Sequence, residues 1–544
     1  MNSTSPLNKD VVLESADPSA GWRWVSGAGV IAFGLMLGLS WLGFGGESAG
    51  AVGDGLVGDP ASRLPMLAAY WVGHALVMVP LTVVAFQLVR RSREVAPQGE
   101  DDFDDDDEAL GELAELTESA ARAAGRFRRA AAVILIVGLF ARLAAAWSPS
   151  PFLSDDVYRY VLDGGVLLDG GNPYAASPAE LLEQSAGPFE SDGGQEAAPL
   201  ATRVNHPQLV TIYQPTSQWT FATLAMAQRV VGPWIGDDAA GGQRVFRMGL
   251  CLFDMAAVAL LLAMLRQGGW SPWWATLYAW HPMAVAEVGW SGHQDAIGLA
   301  WMLACCWAVW VGASRRSAGW VSPARSALAG MAWAAACAVK PLVIPLAVPL
   351  AMRLRRQPRE LAIGAVVGGM VLLLLYASFA VMPGGMSRMV ETLQTFAGGW
   401  RFNGSVHRLL VAGGMSPALA RWLLGGVMVL VLFAAVWRGL DLVRVVVVFF
   451  LAAILLTTTV YPWYLLWALV LMPVRFSWAI WAASLMLPLS YEVLLHPNQW
   501  DTPAWLGWVI YLPVFAAALW EWMHRRRPTV SDRVDVHVVG ADER

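Results

Sequence analysis

Two adjacent carboxylates, Asp155 and Asp156, lie in the run SDDVYRYVLDGGVLLDGGNPY (154–174), just past an apolar stretch that ends near residue 147. At the edge of an apolar layer a carboxylate stays ionised and still reaches a lipid-borne substrate. That makes either residue a candidate general base. Read as a helix over 155–168, the segment puts Val157, Tyr160, Val161 and Leu168 on one face. Asp155, Asp156, Arg159 and Asp163 fall on the other, since positions three and four apart are neighbours. This spacing predicts an interfacial helix with a solvated acidic face. Arg159 is placed to pair with either aspartate and hold it ionised. The bland alternative, an ordinary amphipathic surface helix, fits the pattern about as well.

Further polar clusters punctuate the apolar chain. Asn205-His206-Pro207 and Ile212-Tyr213-Gln214-Pro215 read as a helix-entry turn that also offers donors. Gly292-His293-Gln294-Asp295 joins two apolar runs; Asp295 is either a helix cap or a functional acid at membrane depth. Lys340-Pro341 brings a lysine that either snorkels or meets a phosphate as a point charge. Arg401, Asn403, His407 and Arg408 form another group, and Tyr461, Trp463 and Tyr464 a last one. Glu287 lies inside an apolar run, as a buried packing residue or a partner for the polar residues that follow it. Asn403-Gly404-Ser405 matches a glycosylation sequon, a weak pattern.

The elements that must position these groups are membrane helices. Of 544 residues, 56% are hydrophobic and 15% charged, and the mean hydropathy is +0.48, whereas soluble domains run nearer a quarter charged. Continuous apolar blocks exclude a β-barrel, whose strands alternate. The 29 Trp fit interfacial belts. The four Cys all fall in apolar runs and read as buried hydrophobes. No nucleic-acid partner is expected.

At about 20 residues per crossing, about fourteen spans are expected. Their centres lie near 34, 78, 139, 255, 281, 304, 330, 347, 370, 428, 451, 468, 486 and 514. The first, 24–44, reads as an uncleaved span. Clusters at Arg90/Arg91/Arg93, Arg126/Arg128/Arg129, Arg315/Arg316, Arg353/Arg355/Arg356/Arg359, Arg438/Arg444, Arg475 and Arg525–Arg527 give consistent alternation if all are cytoplasmic, with both termini inside. The loop 148–243, the connection at 289–295, the loop 382–416 and the turn at 461–464 then share the outer face. The stretch 209–231, interrupted by polar residues, reads as interfacial or re-entrant.

The expected organisation is an extra N-terminal helix pair (1–93), an acidic disordered cytoplasmic linker (94–125), a core (126–495), a final span (496–527) and a disordered cytoplasmic tail (528–544). No internal repeat of the transporter kind is visible. The chain is expected in the inner or plasma membrane.

In this order, DDVYRYVLDGGVLLDGGNPY, NHPQLVTIYQP, GHQDA, AVKPLVIPL and YPWYLLW resemble the GT-C superfamily of integral-membrane glycosyltransferases. The likeness is to bacterial mannosyltransferase-like members that use polyprenyl-phosphate sugars, and it covers about 126–495. One departure is Tyr213-Gln214-Pro215, where related sequences read Tyr-Pro-Pro.

The resemblance implies that Asp155 or Asp156 takes the proton of an acceptor hydroxyl, which belongs to a cell-envelope glycan or lipid. A hexose, mannose by the likeness to mannosyltransferase-like members, would leave a polyprenyl-phosphate donor with inversion. Substrate contacts are expected from Arg159, Asn172, Tyr174, His206, Tyr213, His293, Asp295, Lys340, Arg401, His407, Tyr461 and Tyr464. Among these, Arg159, Lys340, Arg401 and His407 are the candidate donors to the leaving phosphate. Some members use a divalent metal such as Mg or Mn and others do not. Asp155, Asp156, His293 and Asp295 are the candidates to hold one. The competing readings are a lipid-linked sugar transporter or flippase, and a catalytically inert scaffold.

Overall fold

The computed structural model describes residues 60–94, 106–148, 151, 153–185, 200–236, 239–310, 320–496 and 500–524. The expected span at 24–44, the acidic residues before Asp106, Arg315, Arg316, Arg525 to Arg527 and the tail lie outside the described residues.

No strand occurs among the described residues; one isolated bridge pairs Phe402 with Thr459. An apolar layer offers the backbone no hydrogen bonds, so an open chain satisfies itself there by coiling. The helices, in chain order, are α1 (Pro60–Glu94), α2 (Asp106–Ala146), α3 (Asp156–Leu168), α4 (Pro178–Ser185), α5 (Pro215–Ile235) and α6 (Ala239–Gln267). They continue as α7 (Asp295–Val309), α8 (Pro323–Cys337), α9 (Ala347–Leu354), α10 (Pro358–Ala380) and α11 (Ser387–Gly399). The last are α12 (Val406–Ala412), α13 (Pro417–Trp437), α14 (Leu442–Leu456), α15 (Trp478–Met486) and α16 (Ala504–His524).

Among the described residues, seven helical segments are long and apolar enough to cross a membrane. They are Leu64–Arg90, Thr117–Ala146, Gly241–Gln267, Pro358–Ala380, Pro417–Trp437, Trp478–Leu495 and Ala504–His524. The chain is a helical membrane protein.

The other expected spans differ, for a physical reason. Near 281 the chain breaks into a 3-10 turn (Pro272–Ala275), two short α segments and a π turn (Val285–Trp290). Near 468 it breaks into Pro462–Leu465 and Leu466–Leu469. Both stretches are enclosed by protein: Tyr278, Met283, Trp467 and Leu469 are all under 1% exposed. Hydropathy cannot separate a segment buried in protein from one bathed in lipid, and broken backbone at that depth survives only where protein surrounds it. Helices α7, α8 and α14 have 15 residues each, short of the ~20 a full crossing takes.

Three further expectations change. Residues 106–125, read as disordered linker, are the first turns of α2. The helix α1, read as an addition, packs against the core: Trp71 Nε1 donates to Pro488 O at 2.9 Å, and Tyr70 lies edge-on to Trp290 and Tyr491. The helix α3 has no solvated acidic face. Arg159 and Asp163 are buried along with Val157, Tyr160 and Val161, because α5 and the loop before it cover that side. Gly164 permits the approach, since a Cβ there would meet the Phe221 carbonyl at 2.5 Å.

Two devices hold the bundle. Between α2 and α6, Arg142 Nε donates to Asp254 Oδ2 at 2.6 Å, and Tyr278 OH to Asp254 Oδ1 at 2.5 Å. The helix α10 rests on α8 through glycine: a Cβ on Gly330 would stand 1.9 Å from the Gly364 carbonyl oxygen. Most of the remaining surface of α10 is apolar and exposed, with Val366, Leu373 and Leu374 each above 60%.

Candidate active site

The start of α3, the α7 entry, the loops before α5 and α9, the end of α11, the turn at 461–464 and the segment 491–494 converge on one cavity of about 510 Å³. Eight of the expected catalytic and substrate-contacting residues border it: Asp156, Arg159, His206, Tyr213, Asp295, Lys340, Tyr461 and Tyr464.

Asp156 is the first residue of α3, where the helix dipole favours an anion. Its backbone N–H donates to Ser154 Oγ at 3.3 Å, and the residue borders the cavity. Asp155 occupies the N-cap position, 8% exposed, and is not part of the cavity wall. Arg159 corrects the expected pairing. Its guanidinium donates to the carbonyls of Leu209 (3.1 Å), Asn205 (3.2 Å) and His206 (3.2 Å) rather than to the aspartates. It thereby fixes the 205–209 loop as cavity wall. His206, held there at φ 51°, sits edge-on to Trp400 at 4.6 Å. Partial burial and then the charge of Arg159 lower its pKa, keeping the ring neutral at pH 7.

The floor is polar and paired. Lys340 Nζ donates to Asp295 Oδ1 at 2.7 Å and stands 3.6 Å from the centre of the Tyr464 ring. Trp467 Nε1 donates to the same carboxylate oxygen at 2.5 Å. The Trp467 ring lies against Gly298, where any Cβ would meet the indole at 2.3 Å. Lys340 therefore neither snorkels nor stands alone. A lysine carries three N–H donors, and Asp295 uses one.

Four rings stack in parallel along one wall: Phe402 on Tyr461 (4.5 Å, 18°), Tyr461 on Trp463 (4.4 Å, 10°) and Trp463 on His293 (3.8 Å, 16°). The inner end is anchored by Glu287. His293 Nδ1 lies 3.1 Å from Glu287 Oε2, and Tyr491 OH donates to both carboxylate oxygens at 2.8 Å. Glu287, undecided in the sequence, thus holds two pieces of cavity wall. His293 itself is fully buried behind Trp463, outside the cavity.

Besides His293, four more expected contacts do not reach the cavity. Asn172 donates to the carbonyls of Pro383 and Gly385, both at 2.9 Å, and Tyr174 OH donates to Tyr213 O at 2.6 Å. Asn172 ties the GGNPY turn to the loop before α11, and Tyr174 ties it to the loop before α5. Arg401 is exposed away from it, because the Phe402–Thr459 bridge turns the neighbouring Phe402 inward instead. His407 is buried with Nε2 3.2 Å from Pro417 O.

The candidate metal ligands also separate. Asp295 is taken by Lys340 and Trp467, His293 by Glu287 and Trp463, and Asp155 is off the wall. Among the described residues no three His, Cys, Asp or Glu gather around a common point. The residues present do not fit a resident cation.

Sequence reasoning missed Tyr160, Phe396, Trp400, Tyr491 and Trp500, which complete the wall. Nothing local distinguishes them: in a chain with 29 Trp, a wall tryptophan looks like one in an interfacial belt.

No protein-family model matches the chain, and no curated protein matches it.

Proposed function

We propose that the protein is a GT-C-type hexosyltransferase that moves a hexose from a polyprenyl phosphate to a hydroxyl acceptor on the non-cytoplasmic face of the cell membrane. The carrying observation is convergence. Residues from five separate sequence motifs (Asp156, Tyr213, Asp295, Lys340 and Tyr461) border one cavity in a helical membrane protein.

Asp156, rather than Asp155, is the base in this reading, because it alone of the pair borders the space where a substrate would sit. The acceptor oxygen attacks the anomeric carbon while its proton passes to Asp156. The bond from anomeric carbon to phosphate oxygen breaks, and the polyprenyl phosphate leaves with the electron pair. Lys340, with donors to spare beyond Asp295, meets the charge that grows on the leaving phosphate. Displacement from the opposite side inverts the anomeric centre. Aromatic walls suit a sugar, whose C–H faces pack on rings while its hydroxyls find the polar groups between them. Arg159 serves the site as scaffold, and no step uses a metal.

The test is transfer from a polyprenyl-phosphate hexose in membranes. Asp156→Asn is expected to cut the rate at least ~100-fold, the scale of lost base catalysis. Asp155→Asn is expected to lose at least tenfold less. Equal rates in Asp156→Asn and the parent would sink the assignment.

A further inference from the structure

The cavity is graded. At its inner end Asp295 is 3% exposed and Gln294 6%, beside Lys340; at the mouth Trp500 is 44% exposed, with His206 and Trp400 near it. The paired charges of Asp295 and Lys340 lie at the inner end, and the indoles of Trp400 and Trp500 at the mouth. Between them lies one hydroxyl with an unspent hydrogen. Tyr461 OH receives Trp400 Nε1 at 3.0 Å and Trp500 Nε1 at 3.4 Å. An indole nitrogen only donates, so the phenol oxygen accepts from both. Its own hydrogen has no acceptor among the described residues, and the ring borders the cavity. The sandwich between Phe402 and Trp463 fixes the plane of the ring and so the place of the phenol oxygen, while the O–H turns about its C–O bond to meet an acceptor.

We infer that the mouth, built on Tyr461, Trp400 and Trp500, is an acceptor subsite for a saccharide. The inner end beside Lys340 is left to the donor's phosphate. Tyr461 donates its hydrogen to an oxygen of the incoming sugar, and the two indoles offer ring faces to its C–H surface. The acceptor hydroxyl is thereby turned toward Asp156, whose charge acts on both Tyr461 and Lys340. A diacylglycerol hydroxyl, carried on two acyl chains, has neither the C–H face nor the second oxygen that this arrangement reads. The inference rests on the glycosyl-transfer reading; the reaction is the one already balanced above, with the saccharide oxygen as nucleophile.

The experiment uses full-length protein in lipid nanodiscs, with polyprenyl-phosphate mannose and polyprenyl-phosphate glucose as donor probes. The acceptor probes are an octyl α-mannobioside and a diacylglycerol. The parent protein is expected to transfer to the saccharide and not to the diacylglycerol. Tyr461→Phe, which keeps the stack and removes only the hydroxyl, is expected to raise the saccharide KM at least tenfold while the donor KM stays within about threefold. Trp500→Phe should give a smaller shift in the same parameter and Trp500→Ala a larger one. Transfer to the diacylglycerol alone, or an unmoved saccharide KM in Tyr461→Phe, overturns the subsite and leaves the glycosyltransferase standing. Release of hexose from neither donor overturns both.

Discussion

A carboxylate enclosed by protein titrates late, and Asp163 is enclosed at 4% exposure. Burial raises its pKa to about 6, although the charge of Arg159 and hydrogen bonds from Thr211 and Gln218 oppose the rise. An unfolded aspartate titrates near ~4. Between those values the native protein holds a proton that the unfolded chain has released, so native stability is full below about pH 4. It falls as pH climbs to about 6 and is level beyond. The size is about 2–3 kcal/mol at ~1.4 kcal/mol per unit. Thermal melting of the purified protein should therefore give a higher Tm at pH 5 than at pH 7, and Asp163→Asn should flatten that difference. An identical pH dependence in the variant would assign it elsewhere. At this scale the sequence pointed to Asp156, Asp295, Lys340 and Tyr461 from residue type and setting, and all four border one cavity. The pairing of Arg159 was not legible, because its partners are backbone carbonyls some fifty positions away, which no side-chain pattern reveals.

Among the elements, α2 and α6 are joined by a fully buried guanidinium and carboxylate, Arg142 and Asp254, with Tyr278 and the Ala279 carbonyl as further partners. Removing one charge strands the other: Asp254→Ala should cost about 3–5 kcal/mol, read as a large drop in Tm. Replacing both with apolar residues of similar volume, Arg142→Met with Asp254→Leu, should recover much of that loss, because the desolvation of both charges disappears together. A double variant no better than the single one would show that the pair does more than satisfy itself. Neither residue drew notice in the sequence, since each is one charge inside a run whose average is apolar. Element type was legible where apolar runs were long and faced lipid, as in α1, α6 and α10. It was lost where prolines broke runs that protein covers on all sides, as at 272–290 and 462–469.

For the whole molecule, the position of the cavity relative to the membrane decides which substrates can arrive. All four cysteines are buried, so a single new thiol reports its own surroundings. Gln208, exposed on the loop that Arg159 holds, is the place for it. Gln208→Cys in intact cells should react with a membrane-impermeant maleimide if the cavity opens outward, as the arginine distribution predicts. Labelling only after cell rupture would reverse the orientation.

The seating of α10 on α8 bears on how this sequence can drift. Where Gly330 meets Gly364 the backbones touch, and a single methyl has nowhere to go. On the outward side Leu373, Leu374 and Val366 face only the surroundings, where one hydrocarbon side chain replaces another at little cost. Descendants of this chain should therefore exchange Leu, Ile, Val and Phe freely along one side of the helix while Gly364 and Gly368, where a Cβ would meet Ser326 at 3.0 Å and the Gly330 carbonyl at 2.9 Å, stay fixed on the other. A mutational scan of 358–380 would show a few intolerant positions recurring about every four residues against a permissive background.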